Sequence, residues 1–105
     1  MKTTIKATGI DLTVPLKEYV EEKIGALEKF VKRWDVEGGV EVWVEVGRTT
    51  RHHKKGDVFR AEADLRLPKK VLRAEDEDFD IRVAVDRVRD KLEREINKYK
   101  GIAAK

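Results

Sequence analysis

Val40-Glu41-Val42-Trp43-Val44-Glu45-Val46 decides the fold: valine at every second position gives a strand one apolar face and leaves Glu41, Trp43 and Glu45 on the other. A second alternation follows at once, with Phe59, Ala61, Ala63, Leu65 and Leu67 set against Arg60, Glu62, Asp64 and Arg66. Between the two, Gly47 to Gly56 reads as a loop carrying Arg48, Arg51, Lys54 and Lys55 without one acid. The pair is therefore predicted as a long hairpin with a basic tip. Working outward, Thr4, Lys6 and Thr8 alternate with Ile5 and Ala7 and stop at Gly9, which predicts a short first strand. On the other side Pro68-Lys69-Lys70 turns into a strand over Val71 to Glu75, with Leu72 and Ala74 facing inward.

Two stretches carry helical spacing instead. Leu16, Val20, Ile24, Leu27, Val31 and Trp34 predict a helix over 14–34, capped by Thr13 and tolerant of Pro15 in its first turn. Gly25 inside it costs about 1 kcal/mol relative to alanine. The second stripe is Ile81, Val85, Val88, Leu92, Ile96 and Tyr99, with Asp78 or Asp80 as cap and Gly101 as the stop. The order β-α-β-β-β-α makes this an α+β fold. A right-handed crossover sets the first two strands parallel, and strands two to four form an antiparallel meander. The result is a mixed four-stranded sheet with both helices on one face and Lys6, Glu41, Trp43, Glu45, Arg60, Glu62 and Arg66 on the other.

At 105 residues the chain fits one domain, 1–105, which buries about 60–65% of its unfolded surface and leaves no room for a deep cofactor cavity. Cys, Ser and Gln are absent and Asn97 is the only Asn, which excludes Ser and Cys nucleophiles, disulfides and thiolate metal sites. That depletion, beside abundant Lys, Glu and Arg, resembles proteins from hot environments. No apolar run approaches the roughly 18 residues of a membrane span and no leader pattern opens the chain, so a cytoplasmic protein without membrane partners is expected.

Function must then come from the arrangement of charge, because 24 Lys+Arg against 21 Asp+Glu leave only +3. On a wheel of the second helix Arg87, Lys91, Arg94 and Lys98 fall in one stripe, with Asp86, Asp90 and Glu93 on the opposite flank. The first helix repeats the sorting: Lys23, Lys29 and Arg33 on one flank, Glu18, Glu21 and Glu28 on the other. With the helices parallel, one basic flank is expected to line the groove between them and present a cationic surface to RNA phosphates. Arg48, Arg51, Lys54 and Lys55 are secondary candidates for phosphate contact. An ordinary solvated surface gives the same sorting by accident when 43% of residues are charged. His52-His53 lacks a third metal ligand, and Glu75 to Asp80 reads as acids complementing a helix start, so no metal or other cofactor is expected. Trp34 reads as core; Trp43 is open to stacking.

Leu72-Arg73-Ala74-Glu75, then Asp80, Ala84 and Asp86, then Asp90-Lys91-Leu92-Glu93-Arg94, Ile96 and Lys98-Tyr99-Lys100 resemble the closing segment of the ribosome hibernation promoting factors, also called ribosome-associated inhibitor or ribosomal subunit interface proteins. Ile10-Asp11-Leu12-Thr13, Leu16, Tyr19-Val20, Lys23 and Leu27-Glu28-Lys29 are similar to the same family's first helix. The resemblance implies a fold like double-stranded RNA-binding domains. It also implies a non-enzymatic translation inhibitor that occupies the small ribosomal subunit near the decoding centre, overlapping mRNA and tRNA. By motif position it carries ribosomal RNA contacts to Lys23, Lys29, Arg87, Lys91, Arg94, Lys98 and Lys100. Two positions depart: Arg82 stands where the family commonly has an aromatic, and Ala26 where it often has a base. The chain also stops soon after Lys100, without the second domain by which long members pair ribosomes and without an acidic tail, so ribosome pairing by this chain alone is not expected; a monomer and no small-molecule substrate are expected as well. The alternative from another class is a protein-interaction adaptor that docks a partner on the open sheet face through Trp43 or an edge strand.

Overall fold

A computed structural model of the chain describes residues 1–53 and 56–103, with the side chains of 50–53 and 103 excepted. Strand β1 (Lys2–Thr8) is followed by helix α1 (Val14–Gly25), a single further turn α2 (Glu28–Val31) and two 3₁₀ turns over Lys32–Trp34 and Val36–Gly38. Strands β2 (Glu41–His53), β3 (Gly56–Leu67) and β4 (Lys70–Asp78) come next, and helix α3 (Ile81–Ala103) closes the order. The four strands form one sheet in the order β1-β2-β3-β4, with β1 parallel to β2 and the other pairs antiparallel. The expected α+β architecture is the observed one.

The alternation explains the layers. Val42 pairs with Leu65 and Val44 with Ala63 across β2 and β3, and Ala63 and Leu65 continue to Ala74 and Leu72 on β4, so one sheet face is apolar across these three strands. Leu16, Val20 and Ile24 of α1 close over it with Val85, Val88, Leu92 and Ile96 of α3, all at or below 8% exposure. Each fully buried aliphatic side chain contributes about 1.5–3 kcal/mol relative to exposure. The opposite face carries Lys6, Glu41, Trp43, Glu45, Arg60, Glu62, Asp64 and Arg66, as the pattern predicts.

Four expectations need correction. The helix expected over 14–34 breaks after Gly25: the Leu27 N–H bonds to the Ile24 carbonyl three residues back, and the Phe30 N–H does the same to Leu27. This tightening keeps Leu27 and Val31 in the core, both fully buried. The loop expected from Gly47 to Gly56 is mostly strand, since β2 runs on to His53 and β3 starts at Gly56. Gly47 is not a breaker; it pairs with Thr8, where a Cβ would lie 2.5 Å from the Thr8 carbonyl oxygen. Acids Glu75 to Asp78 belong to β4 instead of a helix start, because cations across the sheet and on α3 meet them there; only Asp80 acts as a cap, accepting the Arg82 N–H at 2.9 Å. Finally, α3 passes through Gly101 to Ala103.

Candidate nucleic-acid interface

Both helices run back across the sheet in the same direction, as expected. Near their starts Tyr19 Oη donates to Asp86 Oδ1 at 2.7 Å, and near their ends Trp34 meets Tyr99 with ring centroids 5.5 Å apart. Thr13 caps α1 by accepting the Leu16 N–H at 3.3 Å. Over 23 residues at 1.5 Å rise, α3 is about 35 Å long, and every candidate cation after residue 80 projects from it.

The basic stripe of α3 does not line the groove between the helices. That groove is bounded by Glu22, Lys23 and Ala26 of α1 and its edge and by Asp86, Arg89 and Asp90 of α3, so both signs meet there. Arg89 is held on this side by Asp90 at 3.2 Å and Glu93 at 3.3 Å. Lys91, Arg94 and Lys98 instead overhang the β4 edge, where Glu62, Arg73, Ala74, Glu75 and Glu95 complete a second groove. The expected single ribbed surface is thus split. The cause is that the acidic flank of α3 turns to α1, where Asp86 takes the Tyr19 phenol.

Within the stripe the cations are not equivalent. Arg87 Nη1 lies 3.3 Å from Asp78 Oδ1 and 4.0 Å from Asp76 Oδ1. Lys91 Nζ lies 3.1 Å from Asp76 Oδ2 and donates to the Glu75 carbonyl oxygen at 2.8 Å. Burial pushes the Asp76 carboxyl up, but the Lys91 ammonium, the Glu77 N–H and the Arg87 charge outweigh it and hold its pKa below the usual 3.8. Among the described residues Arg94 and Lys98 have no such partner.

A different group of cations sits on aromatic faces. Lys23 Nζ is 5.5 Å from the centroid of the Tyr19 ring and Arg82 Cζ is 5.0 Å from the same ring. Lys29 and Lys100 share Phe30 at 5.2 and 5.6 Å. Arg33 covers Trp34 at 4.3 Å, and on the open sheet face Arg66 covers Trp43 at 5.2 Å. None of these six cations has an ion-pair partner among the described residues. Aromatic seating orients a cation, contributes about 0.5–1 kcal/mol at an exposed site, and leaves its full charge for an anion. Sequence spacing held part of this signal, since Lys23 follows Tyr19 by one helical turn.

Other candidates fare differently. Arg48 lies on β2 with Nε 3.4 Å from Asp57, so a carboxylate already engages it. The side chain of Arg51 and the whole of Lys54 and Lys55 lie outside the described residues, as do the side chains of His52 and His53. No group of three or more His, Cys, Asp or Glu suited to a metal occurs among the described residues, and no helix there is long and apolar enough to cross a membrane. The Tyr19 phenol is pushed up to about 12 by its bond to Asp86 and by burial, so it remains a donor throughout the neutral range.

The family described as Sigma 54 modulation protein / S30EA ribosomal protein matches residues 3–102. A ribosome hibernation promotion factor of Lactococcus lactis is 36% identical over 102 residues, covering 95% of this chain and 50% of its own. One from Deinococcus radiodurans is 31% identical over 96 residues, covering 91% and 47%. The chain thus spans about half the length of the curated relatives it matches. Among solved structures, the Protein Y N-terminal domain of Thermus thermophilus superposes with a TM-score of 0.73 at 26% identity, covering 94% of this chain and 99% of that one. A ribosomal subunit interface protein of Coxiella burnetii shares the fold with a TM-score of 0.71 at 22% identity, covering 96% and 99%. From its strand order to its closing helix, the chain belongs to the Sigma 54 modulation protein / S30EA ribosomal protein family.

Proposed function

We propose that this domain is a non-enzymatic, cytoplasmic translation inhibitor that binds the small ribosomal subunit near the decoding centre and occludes mRNA and tRNA while the ribosome is idle. The observation that carries the reading is the set of aromatic-seated cations without carboxylate partners, four of which, Lys23, Lys29, Arg33 and Lys100, were expected from the sequence as RNA contacts. Arg94 and Lys98 offer a second contact line where α3 overhangs the β4 edge, and Arg87 and Lys91 join that line where RNA phosphates displace Asp76 and Asp78. Arg48, Arg51, Lys54 and Lys55 serve as secondary phosphate contacts. Contacts of this type read backbone shape, not sequence, which suits a rigid folded RNA. Inhibition is steric, and the domain acts as a monomer without cofactor or small-molecule substrate.

Cosedimentation with separated ribosomal subunits over a salt series tests this. Binding to the small subunit alone, lost steeply as salt rises, is the expected result. Trp43, 46% exposed on the open sheet, is the observation that favours the adaptor reading. Binding that ignores salt and fails on replacing Trp43 would move the function to that face.

A further inference from the structure

We infer that Arg82 and Lys23, seated together on the ring of Tyr19, form a phosphate-binding pair at the N-terminal end of the helix pair, with Arg82 a direct contact to the RNA backbone. The inference rests on the RNA reading above and adds a residue that lies in neither basic stripe. Arg82 is on the flank of α3 that faces α1, one turn before Asp86.

Three observations carry it. First, the seat is fixed: the Tyr19 hydroxyl is bonded to Asp86 Oδ1 at 2.7 Å, which ties the ring of α1 to α3. Second, the nearby carboxylates are engaged elsewhere, Asp80 with the Arg82 backbone N–H and Asp86 with the phenol, and Arg82 has no ion pair among the described residues. A guanidinium lying over a ring keeps its N–H edge outward, the geometry that takes two phosphate oxygens at once. Third, the arrangement is repeated. At the far end of the helices Phe30 carries Lys29 from its own turn and Lys100 from α3, as Tyr19 carries Lys23 from its own helix and Arg82 from α3. Each ring thus gathers one cation from the α1–α2 segment and one from α3, and the two α3 members, Arg82 and Lys100, stand 18 residues or about 27 Å of helix rise apart.

The test uses the full chain and its Arg82→Ala and Arg82→Lys variants, each first melted to establish the fold. Binding is measured to isolated small subunits and to a fluorescent RNA hairpin over a salt series. Arg82→Ala is expected to weaken binding roughly tenfold at low salt and to lower the log–log salt slope by about 1. Arg82→Lys should restore the slope and part of the affinity, because charge, not packing, is what the RNA meets. Wild-type affinity and slope in Arg82→Ala would overturn the inference, and so would an Arg82→Lys slope equal to that of alanine. If the chain ignores small subunits yet binds the hairpin with an Arg82-dependent slope, the ribosomal reading fails and the pair stands. Small-subunit binding indifferent to Arg82 gives the reverse, and no binding to either RNA overturns both.

Discussion

Asp76 is where folding and the proposed RNA binding compete for the same cations. Its carboxylate holds Lys91 at 3.1 Å and faces Arg87, so these two positions of the stripe are already neutralised inside the protein. Asp76→Asn should therefore free positive charge, strengthening RNA binding several-fold and steepening its salt dependence, while costing about 1 kcal/mol of stability. The pH dependence has a definite sign. The Asp76 pKa is lowered by folding, so its stabilisation is present above the ordinary value of 3.8 and is lost as pH falls through the lower folded value. Urea titrations from pH 7 down to pH 2 should show that acid loss in the wild type and a shallower one in Asp76→Asn; identical profiles would remove Asp76 from the account. Tyr19 works differently. Tyr19→Phe keeps the ring that seats Lys23 and Arg82 but removes the bond to Asp86, so about 1 kcal/mol of stability should go, and low-salt RNA binding should weaken by less than in Arg82→Ala, because the charges stay while their seat loosens and the Asp86 carboxylate is released.

Two glycines give the elements opposite responses. At Gly47 a methyl group would meet the Thr8 carbonyl oxygen at 2.5 Å, so Gly47→Ala must push β1 from β2 and should cost about 1–3 kcal/mol in a denaturant melt. At Gly25 nothing lies within 4 Å of the added carbon, so Gly25→Ala at the end of α1 should stabilise by about 0.5–1 kcal/mol. Their contrast also shows what the sequence could reveal. Gly47 reads as a loop residue in the sequence because its reason, the approach of Thr8, lies 39 residues away in the chain. The break after Gly25 escaped because Leu27, Val31 and Trp34 keep their spacing through a tightened turn. Strand alternation and the α3 stripe were legible since each depends only on a local period. The acids of β4 resemble a helix start in sequence because their partner is not local: Arg60, bonded to Glu75 and 3.0 Å from Glu62, comes from the neighbouring strand. Which cations carbon rings seat and which carboxylates hold was likewise decided by tertiary contact, as Lys100 on Phe30 and Arg87 on Asp78 show.

On the scale of the whole molecule, a net charge of +3 is too small to draw the chain to RNA unless the charge is partitioned. The sheet face mixes Glu45, Glu62 and Asp64 with Lys6 and Arg66, and the α3 stripe is partly neutralised by β4. The unpaired charge collects on the helix side, at the rings of Tyr19, Phe30 and Trp34 and at Arg94 and Lys98. These aromatic-seated cations are the proposed carriers of RNA binding. The most direct test of this is the salt dependence of small-subunit binding for the wild type beside a Lys29→Ala, Arg33→Ala, Lys100→Ala triple variant of unchanged melting temperature. Loss of three phosphate contacts should flatten the log–log slope by about 2–3 and weaken low-salt binding by at least a hundredfold. A triple variant that binds with the wild-type slope and affinity would contradict the account.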